Sequence, residues 1–140
     1  MTVKKLIPLV FFMVVFQSAS ALKGDTISTK SGLKYVRIKA GSGAKASVGQ
    51  KVRVEFTGSL PDGTVFNSTD GVPFKFDIGD PQVIPGWNEG FQLMSAGEKG
   101  ILIIPPALGF GKEGYKDDDG KVLVPPNSMI IFEVELLSIK

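Results

Sequence analysis

Apolar and charged residues alternate through Lys51-Val52-Arg53-Val54-Glu55-Phe56 and again through Ile130-Ile131-Phe132-Glu133-Val134-Glu135-Leu136. That period of two sets one face of a β-strand against a core and leaves the other in water. Leu33 to Ile38 and Phe74 to Ile78 keep the pattern more loosely, and Glu98 to Ile104 reads as a further strand ending at Pro105-Pro106. Pro61-Asp62-Gly63 predicts a tight turn joining the strand around Val54 to the segment around Phe66, because Pro presets φ and Gly tolerates positive φ. One stretch has a helical period: Trp87, Phe91 and Met94 recur at i, i+4 and i+7, with Asn88, Glu89 and Gln92 on the other face. Gly97 is its expected stop, which gives a helix of about two turns. Five antiparallel strands with one short helix over a sheet face make an α+β domain.

The first residues have a different character. Lys4 and Lys5 precede an apolar run from Leu6 to Phe16, and Ala19-Ser20-Ala21 has the small-x-small form that signal peptidases cut after. Residues 1–21 therefore read as a secretory signal, too short in its apolar part for the roughly 20 residues of a bilayer span. Residues 22–32 are polar and read as a mobile arm, and 33–140 as the domain. The expected location is exported: periplasm first, extracellular space second. Without Lys4 and Lys5 the chain carries 14 basic and 14 acidic side chains, so no excess of positive charge favours a nucleic acid or an anionic membrane.

Cys and His are absent, which removes disulfides, thiolate nucleophiles, Ser/His/Asp triads and the usual zinc sites. Hydroxyl, amine, carboxylate and backbone chemistry remain, and no metal or cofactor is expected. Gly41-Ser42-Gly43-Ala44-Lys45-Ala46 matches a dinucleotide fingerprint, yet strand patterning follows where a helix should open, so it reads as a turn. Asp117-Asp118-Asp119-Gly120 lacks the alternating Asp and closing Glu of a calcium loop. Among the carboxylates only Asp77 and Glu89 sit in apolar sequence, too little to single out an acid/base pair.

The distinctive feature is an aromatic set at Phe56, Phe66, Phe74, Phe76, Trp87, Phe91, Phe110 and Phe132. In a small domain such a set ordinarily forms the core. Two apolar, proline-containing loops, Val83-Ile84-Pro85-Gly86-Trp87 and Leu123-Val124-Pro125-Pro126, suggest more, since exposed apolar loops are costly unless they line a pocket or meet a partner.

Val54-Glu55-Phe56-Thr57-Gly58, Asp62-Gly63-Thr64-Val65-Phe66-Asn67-Ser68, Val83-Ile84-Pro85-Gly86-Trp87 and Pro125-Pro126-Asn127-Ser128-Met129-Ile130-Ile131-Phe132-Glu133-Val134-Glu135-Leu136-Leu137 occur in that order. Together they resemble the FKBP-type peptidyl-prolyl cis/trans isomerases over roughly residues 30–140. Thr29 to Tyr35 is similar to the exported bacterial branch, the macrophage infectivity potentiator proteins, without their dimerisation arm, so a monomer is expected. The resemblance implies a half-open barrel-like sheet wrapped on a helix, with a shallow hydrophobic pocket between them. It implies Trp87 as the floor and Phe56, Phe66, Phe76, Phe110 and Phe132, with Val83, Ile84 and Leu123, as walls and rim. Phe74 falls near the same wall, and alternation puts it on the same face as Phe76, leaving open which of the two faces in. The backbone N–H matching Ile84 would hold the substrate.

The implied activity is rotation of X-Pro bonds in exported, proline-containing polypeptides that are still folding, by desolvation rather than by covalent chemistry. Departures from the family pattern are Phe56 and Phe110 where most active members have Tyr, and Asn67 where they have Asp. With Phe66, these are the positions expected to bear on catalysis. The sequence thus predicts an isomerase of reduced turnover with weak macrolide binding. The alternative is a non-catalytic proline-peptide binding module or chaperone that keeps the groove.

Overall fold

The computed structural model describes residues 26–140; the leader read at 1–21 and the first residues of the arm lie outside them. In chain order the elements are β1 (Thr26–Ser28), β2 (Lys34–Lys39), β3 (Ser42–Lys45), β4 (Lys51–Ser59), β5 (Val65–Ser68), β6 (Phe74–Asp77), helix α1 (Pro85–Gly90), β7 (Ser95–Ala96), β8 (Lys99–Ile104), β9 (Tyr115–Lys116), β10 (Val122–Val124) and β11 (Ile130–Ile139).

All five expected strands form, as β2, β4, β6, β8 and β11, and the α+β class holds. The sheet is larger than expected because short segments too brief to show alternation join its edges. Its order is β1-β2-β8-β11-β4-β5, with β6 also on β4, and every pair is antiparallel. The described part of the expected arm is a strand and a turn: Thr26–Ser28 pairs with Val36–Lys34, and Thr29 N–H donates to Leu33 O at 2.9 Å. The turn at Pro61 forms as predicted, with Gly63 at φ +94° and Leu60 N–H donating to Thr64 O at 2.9 Å. Asp62 accepts the Thr64 N–H, which holds its carboxyl below the usual range.

Alternation sends Val52 and Val54 of β4, Leu102 and Ile104 of β8, and Ile130, Phe132, Val134 and Leu136 of β11 to one buried face. Helix α1 lies close against β8. A Cβ on Gly86 would come within 2.7 Å of the Ile104 side chain, and one on Gly90 within 2.5 Å of that of Leu102. Two glycines four residues apart thus let bare backbone approach the strand, while Trp87 and Phe91 turn into the core.

The helix has the expected length of about two turns but ends before the expected stop. It tightens into a 3-10 turn at Phe91–Leu93 and Met94 is already extended. What stops it is sheet pairing rather than Gly97: Ser95 and Ala96 pair with Lys45 and Ser42, and Ala46 N–H donates to Met94 O at 3.0 Å. The segment read as a turn at Gly41–Ala46 is therefore mostly a short strand.

The buried carboxylate is neither Asp77, ion-paired with Lys51 at 3.0 Å on the surface, nor Glu89, which accepts from Ser31 Oγ at 2.6 Å. It is Glu98, which is 3% exposed. It accepts from the Tyr35 phenol at 2.6 Å, Arg37 Nε at 3.1 Å and Ser95 N–H at 3.2 Å. Burial, reinforced by the hydrogen bond to Glu98 and its negative charge, pushes the Tyr35 phenol far above its usual range, so it is a neutral donor. Gly100 leaves room for this: a side chain there would run into the Tyr35 ring.

Candidate functional site

Strand β4 changes partner partway along. It pairs with β6 from Lys51 to Val54 and with β5 from Thr57. In the gap stands Phe56, where Thr69 replaces the ladder: its N–H donates to Phe56 O at 3.0 Å, and its Oγ1 accepts from Phe56 N–H at 3.1 Å. Over this gap lies a cavity of about 640 Å³, within the range of small-ligand sites.

Trp87, held in the core by the glycine face of α1, is its floor and is 6% exposed. The rings of Phe56 and Phe132 meet it nearly edge-on at centroid distances of 4.8 and 5.2 Å. Its Nε1 is buried and has no acceptor among the described residues. Phe66 continues the wall, 5.5 Å from Phe132 and 6.1 Å from Phe110. Gly58 makes that packing possible, because a Cβ there would lie 2.6 Å from Phe132 and 2.8 Å from Phe66.

The opposite rim is the loop before α1, with Gln82, Val83 and Ile84 on the cavity. Asn88 ties it down from the helix: its Oδ1 accepts from Gly79 N–H at 2.7 Å, and its Nδ2 donates to Asp80 O at 2.9 Å. The Ile84 N–H at this rim donates to no group among the described residues.

No lining residue carries a formal charge. No group of three potential metal ligands occurs among the described residues. The site offers apolar surface, fixed dipoles and hydroxyl-bearing residues, and no carboxylate, amine, imidazole or thiol lines it.

Of the residues expected from sequence, Phe56, Phe66, Asn67, Phe74, Val83, Ile84, Trp87, Phe110 and Phe132 line this one cavity. Phe76 and Leu123 do not. Phe74 and Phe76 share a face and stack at 5.9 Å, but Phe74, 44% exposed, stands on the rim while Phe76, 5% exposed, lies beneath it against Phe91. Leu123 sits where the β9–β10 register shifts, and its neighbour Val124 takes the buried position. Asn67 is exposed and its Oδ1 accepts from Ser68 N–H at 2.9 Å. Ser68, Thr69, Val72, Pro73, Gln82 and Tyr115 also line the cavity and were not anticipated. Only Tyr115, an aromatic inside an acidic loop, carried a local signal.

Residues 42–137 match the family model of the FKBP-type peptidyl-prolyl cis-trans isomerases. The chain is similar to Outer membrane protein MIP of Legionella longbeachae, 42% identical over 127 residues that cover 89% of this chain and 52% of that protein. It is likewise similar to FK506-binding protein 2 of Dictyostelium discoideum, 40% identical over 133 residues, or 94% of this chain and 93% of that one. Its fold is similar to the crystal structure of FkpA from Escherichia coli, with a TM-score of 0.73 and 35% identity, covering 89% of this chain and 56% of FkpA. The chain thus spans about half the length of these two bacterial relatives.

Proposed function

The chain belongs to the FKBP-type peptidyl-prolyl cis-trans isomerase family, and from that premise we propose that its cavity accelerates rotation about X-Pro bonds. Such rotation is slow because it breaks amide resonance, a barrier of about 18–20 kcal/mol. Resonance places negative charge on the carbonyl oxygen, and water stabilises that polarised planar form. An uncharged aromatic cavity withdraws the water and favours the less polar twisted amide. Trp87 supports the prolyl ring, the Phe walls exclude solvent, and the Ile84 N–H holds a substrate carbonyl. The observation that carries this reading is the uncharged aromatic cavity over Trp87 with the unengaged Ile84 N–H on its rim.

Turnover is reduced relative to relatives with Tyr and Asp at these positions. Phe56 and Phe110 have no hydroxyl to donate, and Asn67 is neutral. Two missing hydrogen bonds of about 0.5–1.5 kcal/mol each weaken transition-state binding by roughly one to two decades. Macrolide affinity falls for the same reason. The leader read at 1–21 and a relative named as an outer membrane protein support an exported setting, with unfolded exported polypeptides as clients.

A second reading, a binding module that keeps the groove without turnover, is favoured by the same three positions. Refolding of a test protein limited by proline isomerisation separates the two, since that phase takes tens of seconds or more. An isomerase speeds the slow phase at substoichiometric concentration. A binding module leaves its rate unchanged or retards it in proportion to the amount added.

A further inference from the structure

Three of the residues that line the cavity carry a side-chain hydroxyl: Ser68, Thr69 and Tyr115. Two are committed. Ser68 Oγ donates to Asp70 Oδ1 at 3.0 Å, and Thr69 Oγ1 is spent on the Phe56 backbone, accepting its N–H at 3.1 Å and donating to its carbonyl at 3.4 Å. The Tyr115 phenol donates to no group among the described residues.

Its ring is nonetheless fixed. It stacks on Phe110 at 5.1 Å with the planes 22° apart, and Phe110 is in turn set edge-on against Phe66. The backbone beneath is held as well. Tyr115 pairs with Val124, which is 1% exposed. Gly114, at φ +70°, lies so near the Val124 carbonyl that no side chain fits. The hairpin is closed at its far end by Asp117, whose carboxylate accepts the N–H groups of Asp119 and Lys121, both at 2.9 Å.

A donor held on an aromatic stack, beside Phe66 and Phe110 walls that carry none, matches what a buried peptide needs. A carbonyl that loses its water on entry is costly unless a new donor meets it. We propose that Tyr115 is a further substrate-contacting residue of this site: its phenol donates a hydrogen bond to a peptide carbonyl lying along the Phe110 wall. This assignment rests on the reading of the cavity as a proline-peptide site.

The test measures Kd for an Ala-Phe-Pro peptide by NMR titration, and its cis/trans exchange rate, for the wild type, Tyr115→Phe, Tyr115→Ala and Phe110→Tyr/Tyr115→Phe. Tyr115→Phe keeps the stack and removes only the proton. It is expected to weaken binding about two- to tenfold, the range of one neutral hydrogen bond, with the thermal midpoint unchanged. Phe110→Tyr in that background is expected to recover most of the loss by restoring a hydroxyl to the same wall. If Tyr115→Phe matches the wild type while Tyr115→Ala is weakened, Tyr115 is only a wall and the proposal is overturned. If the wild type binds without accelerating exchange, the isomerase reading fails, and the Tyr115 contact is still judged by Kd. A wild type that does not bind overturns both.

Discussion

Two clusters beside the same sheet treat polar groups in opposite ways. Around Glu98, the Tyr35 phenol, Arg37 Nε and Ser95 N–H all converge on one carboxylate. Around Trp87, neither the indole Nε1 nor the Ile84 N–H at the rim has an acceptor among the described residues. The first cluster is closed and joins β2 to the turn before β8. The second is left incomplete, and the Ile84 N–H on the rim of the cavity is what a bound peptide can satisfy. Charge is used to fix the scaffold, and its absence defines the site.

The largest effect is expected from breaking the closed cluster. Glu98→Ala removes the acceptor that the Tyr35 phenol, Arg37 Nε and the Ser95 N–H share. Removing one side of a buried pair costs about 3–5 kcal/mol, and the 28% exposure of the Arg37 side chain places the expected loss at about 2–4 kcal/mol. Thermal melting then shows a fall of roughly 10 °C, while peptide affinity of the folded fraction stays within about twofold, because no group of this cluster lines the cavity. A comparable loss of affinity in folded protein would show that the two clusters are not independent.

The next largest comes from supplying the site with polar groups. Phe56→Tyr/Asn67→Asp/Phe110→Tyr is expected to raise kcat/KM about ten- to a hundredfold in a cis/trans exchange assay. Unchanged turnover would mean that these positions do not limit catalysis. A smaller effect is expected at Asn88, which positions the Ile84 rim without lining the cavity. Asn88→Ala should raise KM roughly fivefold, as expected for about 1 kcal/mol of lost positioning, with kcat changed much less.

The smallest is a pH dependence confined to the closed cluster. Tyr35 holds its proton more tightly folded than unfolded. Below pH 10 the phenol is protonated in both states and contributes no slope. Above it the unfolded chain releases a proton that the folded chain retains, so rising pH lowers stability. Urea denaturation should show a loss of about 1 kcal/mol by pH 11 that is absent in Tyr35→Phe. The exchange rate, set in a cavity without charged lining, should stay flat from about pH 5 to 9.

Legibility in the sequence followed the range of the interactions. Alternation along β4, β8 and β11 is written within a few residues, and so were those strands. Ordered motifs brought Phe56, Phe66, Val83, Ile84, Trp87 and Phe132 together, and the family resemblance they carry added Phe110. The Glu98 cluster left no local trace, because its partners Tyr35 and Arg37 are 63 and 61 residues away. Phe74 and Phe76 share a face, and only the edge of the sheet decides which one reaches the rim. Leu123 depended on a register shift between β9 and β10, which a one-residue slip reverses. The end of the helix was misplaced because Ser95 and Ala96 are claimed by pairing with β3 and Met94 O by the Ala46 N–H, a tertiary effect that overrides the i, i+4, i+7 spacing.

The central claim, that an uncharged aromatic cavity suffices to turn over an X-Pro bond, is tested most directly by NMR exchange spectroscopy on an Ala-Phe-Pro peptide with a catalytic amount of the Leu22–Lys140 chain. The account predicts cis/trans exchange above the uncatalysed rate, slower than in relatives bearing the Tyr and Asp groups. Peptide resonances that shift on binding while exchange stays at the uncatalysed rate would contradict it.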